Sequence, residues 1–165
     1  RAGQPMGTYD APRPQLRSGD LVFFREHTFM AKVIRAVTRS DYCHCGVVWV
    51  VGERVFILEA RFSQGVTMRL LSEALPCDWI ATGCNWTKEV ETAALSRLQT
   101  RYSWLAAIAH GLGLRPRGDV PDCSIFAAQT VEPGLPGVRF DLKGMTPGNL
   151  AETFQAVGCG NFTLN

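Results

Sequence analysis

Cys43-His44-Cys45-Gly46-Val47-Val48-Trp49-Val50-Val51-Gly52-Glu53-Arg54-Val55-Phe56-Ile57-Leu58-Glu59-Ala60 is the most informative stretch of the chain. Residues 46–51 and 55–58 are rich in β-branched and aromatic side chains, which fit a pleated, half-buried surface. Gly52-Glu53 between them suits a tight hairpin with glycine first. If Val51 pairs with Arg54, the register along the ladder is fixed. Gly46 then faces Glu59, and His44 lies diagonal to Glu59 on the same side, roughly 7 Å away and within mutual reach. Gly46 brings no side chain between them. A four-residue turn keeps this register, whereas a three-residue turn puts His44 and Glu59 on opposite faces. The same alternation sends Cys43 and Cys45 to the other face with Val47 and Trp49, as small buried hydrophobes.

Upstream, Leu21-Val22-Phe23-Phe24 is an apolar run fit for a buried strand, and Phe29, Met30, Val33, Ile34 and Val37 recur at helical spacing. Downstream, further strands are expected at 66–69 and 79–82. Thr87 can cap a helix with Val90, Ala93, Ala94 and Leu98 inward. Tyr102, Leu105, Ala106 and Ala109 mark another helix, which stops near Gly111–Gly113. A third begins near Asp122 and runs to about Val131, before Pro133. A last opens at Thr146-Pro147, with Leu150, Ala151, Phe154 and Val157 inward. Strands early and helices late give an α+β class: an antiparallel sheet of about five or six strands packed against several helices. Residues 1–15, holding Gly3, Pro5, Gly7, Pro12 and Pro14, read as a flexible arm. Residues 16–165 read as a single domain.

Bulk composition narrows the function. With 165 residues and 46% hydrophobic content, one sizeable core is expected. A net charge of +2 with dispersed basic residues gives no footprint for nucleic acid or an anionic membrane. No apolar stretch is long enough to span a bilayer, so no integral membrane segment is expected. The sequence begins at Arg1, not methionine, and reads as a fragment or processed product, so a missing signal peptide says little. Six cysteines without paired Cys-x-x-Cys clips leave the redox compartment open.

An oriented base needs something to activate, and Cys123 is the best candidate. It stands at the start of a predicted helix, where unpaired N–H groups and the macrodipole favour a thiolate. A neighbouring imidazolium lowers the thiol further and completes the ion pair that cysteine hydrolases use. The helix-start amides, that of Cys123 included, can donate to a developing oxyanion. Asp122 works against this, since a carboxylate beside the thiol raises its pKa; it is expected to cap the helix and point away. Glu59, between Leu58 and Ala60 on a strand, is awkward in a core without a partner.

Ser18-Gly19-Asp20-Leu21-Val22-Phe23-Phe24, His44-Cys45-Gly46-Val47-Val48, Leu58-Glu59-Ala60, Asp122-Cys123-Ser124 and Thr146-Pro147-Gly148-Asn149-Leu150 together resemble the circularly permuted branch of the NlpC-type papain-like peptidases. The resemblance covers roughly residues 17–156. It implies a papain-like fold in which the histidine strand precedes the cysteine helix. The implied activity is a thiol hydrolase acting on amide, peptide or related acyl bonds, cell-wall peptide included, in bacteria or their phages. It assigns the nucleophile to Cys123, the base to His44 and the third polar residue to Glu59. Tyr42, Ser124 and Asp122 are weaker candidates for substrate or oxyanion contacts. The partner is then a peptide or acyl-amide substrate, with no cofactor. One departure is Cys45, where the family more usually has an aliphatic residue, and it leaves redox sensitivity in play.

Other chemistry weighs less. Cys43, His44, Cys45, Cys77 and Cys84 are suitable zinc ligand types, but adjacent strand residues point to opposite faces, so no metal is expected. His27 and His110 have no assignable partner. Gly111-Leu112-Gly113-Leu114 follows a helix and reads as a stop, not a phosphate loop. Tyr102 and Trp104 read as packing residues. Alternative functions are an acyltransferase or lipid-amide or thioester hydrolase on the same scaffold, with an acyl site shaped by residues 28–38 or 134–140. A catalytically silent binding or virion component is the third.

Overall fold

Alternation along residues 44–61 resolves into two eight-residue strands, β2 (His44–Val51) and β3 (Arg54–Arg61), which pair antiparallel with Val51 opposite Arg54 and Val47 opposite Leu58. Gly52 has φ +57 and Glu53 is not among the positive-φ residues, so glycine occupies the one turn position that needs a left-handed backbone. This is the register expected from the two-residue turn. The structure is a computed structural model that describes residues 12–26, 31–32, 35–36, 39–61, 64–100 and 122–165.

Around this hairpin the sheet extends in the order β4-β3-β2-β1-β5-β6, with every pairing antiparallel. β1 is Leu21–Phe24, β4 Gly65–Leu70, β5 Cys77–Ile80 and β6 Asn161–Leu164. Three full helices follow among the described residues: α1 (Lys88–Ser96), α2 (Cys123–Val131) and α3 (Pro147–Ala156). Each begins at the cap its sequence suggests. Val90 N donates to Thr87 Oγ1 (3.3 Å), Ile125 N to Asp122 Oδ1 (2.8 Å) and Asn149 N to Thr146 Oγ1 (3.2 Å). The protein is therefore α+β, with a six-stranded antiparallel sheet.

The sheet buries both faces, and each has its own core. On one side Leu21, Phe23, Cys45, Val47, Leu58 and Ala60 pack against α1, α2 and α3 through Ala94, Phe126, Val131, Leu150 and Phe154. On the other, Val22, Phe24, Val48, Ile57 and Trp79 are covered by Leu16 and by the 3₁₀ turn Leu71–Glu73. A strand buried on both faces must be apolar at every position, which is why Leu21-Val22-Phe23-Phe24 carries no alternation.

The structure corrects the expected pattern in several places. Six strands fall within the expected five or six, but the last, β6, lies at residues 161–164, where no local pattern marks it; Leu164 is fully buried opposite Cys77. Val157 is 76% exposed, because α3 ends at Ala156 and its inner face closes with Phe154. Ala93 is exposed, and Val90 and Ala94 form the inner edge of α1. Residues 31–32 and 35–36 are helical, but the rest of the expected helix at 29–37 lies outside the described residues. So do residues 1–11 of the expected arm, the expected helix at 102–109, the glycine stop at 111–113, and His27, Tyr102, Trp104 and His110. Residues 13–15 of that arm form a 3₁₀ turn that leads into buried Leu16.

Gly46 is where the hairpin tolerates least. A Cβ there would sit 2.4 Å from Ile57 Cγ2, 3.1 Å from the Leu58 carbonyl oxygen and 3.2 Å from Glu59 Cβ. Gly46→Ala is expected to destabilise the fold by about 1–3 kcal/mol, the usual range for overpacking. Urea unfolding checks this, and an unchanged midpoint would contradict the close approach of β2 and β3 at this point.

Candidate active site

β2 and β3 bring His44 and Glu59 together as the register requires: His44 Nε2 lies 2.7 Å from Glu59 Oε2. Glu59 is completely buried, and a carboxylate in that position must be paired. The second partner comes from β4. Arg69 stands opposite Ile57, diagonal to Glu59. Its Nε donates to Glu59 Oε1 at 2.5 Å and its Nη2 to Oε2 at 3.4 Å. Arg61 Nε lies 3.8 Å from Oε1. Burial alone would raise the Glu59 carboxyl, but the hydrogen bonds and charges of His44 and Arg69 outweigh it and hold the group below its ordinary value.

An ionised carboxylate accepts only, so the His44 proton that meets it sits on Nε2. Nδ1 is then the ring nitrogen left for a thiol. The ring packs beside Phe24, with centroids 5.7 Å apart, and the His44 side chain keeps 17% exposure. Burial alone would depress the imidazole. The Cys123 thiolate first and Glu59 second overcome that and raise it to about 10.

Cys123 is the first residue of α2, capped by Asp122. It is 6% exposed. Burial pushes the thiols of Cys43, Cys45, Cys77 and Cys84 up, Cys77 to about 12 and Cys84 to about 11. Cys123 moves the opposite way, well below the ordinary thiol value. The Cys45 thiol contributes most, as a hydrogen-bond partner; His44 adds its charge and a hydrogen bond, and burial opposes them. The Cys123 thiol at a helix start is thus electrostatically coupled to the His44 imidazole, which a carboxylate one strand over holds at 2.7 Å.

Asp122 caps α2 as expected, accepting from Ile125 N and from Ser124 Oγ (2.9 Å). Burial and the adjacent Cys123 thiolate raise its carboxyl to about 7, so below neutrality it adds little negative charge beside the sulfur. Ser124 is 1% exposed, with its hydroxyl between Asp122 Oδ1 and the Met145 carbonyl (3.0 Å). Tyr42 is also buried. Its hydroxyl donates to Asp78 Oδ2 (2.6 Å) and accepts from Arg25 Nη2 (3.1 Å) and Asn161 Nδ2 (2.9 Å). Both hydroxyls are committed to protein partners.

Two residues at the site were not anticipated. Arg69 was legible in principle: the diagonal rule that links His44 to Glu59 links Glu59 to Arg69 across the next hairpin. Alternation places Cys45 on the core face opposite His44; that face is the one α2 covers, so Cys45 shares a core with Cys123 and is electrostatically coupled to it. On the side of Phe24 and Arg69, which touch His44 and Glu59, a cleft of about 460 Å³ is bordered by Phe24, Arg25, Arg69, Leu75 and Asp78. Among the described residues, no three His, Cys, Asp or Glu side chains converge in a way that could hold a metal ion. No described helix is long and apolar enough to cross a membrane.

No protein-family model matches the chain, and no curated protein does. Among solved structures it is similar to the metalloprotein yiiX from Escherichia coli O157:H7 (DUF1105), with a TM-score of 0.57 and 19% identity over 76% of this chain and 69% of that one. At that identity the similarity concerns the fold alone.

Arg69→Met would leave Glu59 buried with one close partner. The native carboxylate stabilises the fold above its unfolded pKa, and that contribution is lost as pH falls through the lowered folded value. Without Arg69 the folded value rises, so the acid-side loss begins at higher pH. At neutral pH the variant is expected to lose about 2 kcal/mol, less than the ~3–5 kcal/mol for breaking a fully buried pair, because the arginine is partly solvated. Urea unfolding between pH 4 and 8 measures both effects; a wild-type acid profile would remove Arg69 from the network.

Proposed function

We propose that the chain is a papain-like cysteine hydrolase of the circularly permuted NlpC type, cleaving an amide or peptide bond through Cys123, His44 and Glu59. The observation that carries this reading is Cys123 at a helix N-terminus, coupled to an imidazole that a fully buried carboxylate holds at 2.7 Å.

In this reading Glu59 holds Nε2–H and keeps the ring aimed. The Cys123 thiolate adds to the substrate carbonyl. The amides of Ser124 and Ile125 are turned to the Asp122 carboxylate, which leaves that of Cys123 to meet the developing oxyanion. As the tetrahedral adduct collapses, the imidazolium passes its Nδ1 proton to the leaving amine and an acyl-enzyme remains. Neutral His44 then takes a proton from water, whose oxygen attacks the acyl carbonyl. The thiolate departs, and carboxylic acid and the ion pair are regenerated. The cleft beside Phe24 and Arg69 offers space for one flank of the substrate. A cell-wall peptide is the substrate class the sequence resemblance suggests.

Brief treatment with iodoacetamide near pH 6 should label Cys123 ahead of the other five cysteines, and His44→Ala should abolish that preference. Slow, even labelling of all six would favour a silent binding module.

The active ion pair exists between the lowered Cys123 pKa and the raised His44 pKa. The rate of Cys123 alkylation, and kcat/KM on muropeptides, should therefore rise on the acid side well below pH 9. Turnover should fall on the alkaline side near pH 10. Glu59→Gln removes a charge that favours the imidazolium and should bring the alkaline limb to lower pH, whereas an unmoved limb would detach Glu59 from the base.

A further inference from the structure

We infer that Cys45 is a resolving cysteine for Cys123, so that peroxide converts the two into a reversible disulfide that switches the site off. This rests on Cys123 being the reactive thiol of the proposed hydrolase.

The arrangement is specific to these two sulfurs. Cys45 follows His44 on β2, pairs with Phe23 of β1 and has no exposure; it shares a core with Cys123, over which α2 lies. The helix that Cys123 heads packs on β2 more than on any other element, and the Cys45 thiol is electrostatically coupled to the Cys123 thiolate. The other nearby thiols face elsewhere: Cys43 Sγ donates to the Phe24 carbonyl (3.3 Å) and Cys84 Sγ to that of Val131 (3.6 Å). A disulfide has an S–S length of about 2.05 Å, so closure draws the helix start toward the strand on which it packs.

The chemistry is ordered by the same coupling. An oxidant attacks thiolate and leaves thiol untouched. Cys123 is the ionised partner and retains slight exposure, whereas Cys45 is sealed and protonated. The Cys123 thiolate attacks hydrogen peroxide, the O–O bond breaks, and Cys123 sulfenic acid and hydroxide result. The Cys45 sulfur then attacks the sulfenic sulfur. The S–O bond breaks, the Cys45 proton leaves with the hydroxyl as water, and the S–S bond forms. A dithiol reductant returns both thiols and becomes a disulfide itself. Capture by Cys45 also protects Cys123 from a second peroxide, which would carry it to irreversible sulfinic acid.

The test uses the whole chain, a few equivalents of hydrogen peroxide at pH 7, and non-reducing peptide mapping. The wild type should lose about 2 Da and two titratable thiols, with one cross-link joining the Cys45 and Cys123 peptides; dithiothreitol should restore rapid iodoacetamide labelling. Cys45→Ala should instead gain about 32 Da on Cys123, and labelling should not return. Cys45→Ser, closer in size, repeats the comparison if the alanine variant folds poorly. Sulfinic acid forming equally fast in wild type and variant, or Cys123 cross-linking to another cysteine, would overturn the inference. If Cys123 reacts selectively with iodoacetamide but never links to Cys45, this inference alone fails. If it resists both reagents, the hydrolase reading fails too.

Discussion

A single fully buried carboxylate organises this protein. Glu59 lies in a sheet covered on both faces, where an unpaired charge is untenable, so its existence there demands His44 on one side and Arg69 on the other. That demand reaches outward. It fixes the register of β2 on β3 and of β4 on β3, because a slip of one residue would point either partner to the wrong face. It also requires the glycine at position 46, where the strands approach too closely for any side chain. The tautomer and aim of the imidazole follow from this charge, and with them the state of the thiol it meets.

Other acidic residues act as anchors. Asp20 accepts from Arg17 N (2.8 Å), Trp79 Nε1 (3.0 Å) and Thr82 N (3.3 Å), while Ser18 Oγ accepts from Val50 N (2.9 Å). The Ser-Gly-Asp triplet therefore ties the entrance of β1 to β2 and β5. Gly19 takes φ +90 in this knot, and a Cβ there would lie 2.7 Å from that of Cys84. Asp78 has a parallel task at the far edge, gathering Tyr42, Arg25 and Thr163 so that β6 is joined to β5 and β1 by side chains as well as by backbone.

Local pattern revealed what local physics controls. The hairpin at 44–61, the buried strand at 21–24 and the caps at Thr87, Asp122 and Thr146 were all readable because each depends on near neighbours in sequence. β6 was not, since Asn161-Phe162-Thr163-Leu164 is mostly exposed and only its pairing with β5 makes it a strand. The polarity of Val157 was misjudged because helical periodicity does not mark the last turn. At the site, alternation separated His44 from Cys45 correctly, but no pattern within one strand tells which face a remote helix will cover. That Cys45 and Cys123 share one core is a product of tertiary packing.

The order in which these parts meet along the chain has a bearing on how the molecule matures. Base and carboxylate are joined by a short-range hairpin, which closes early because little loop entropy opposes it. The sulfur arrives only with a helix from much later in the sequence, once long-range packing is complete. Until then it is an ordinary thiol, largely protonated at neutral pH. On the proposed reading, nucleophilic strength is thus a property the nascent polypeptide lacks and the finished one acquires.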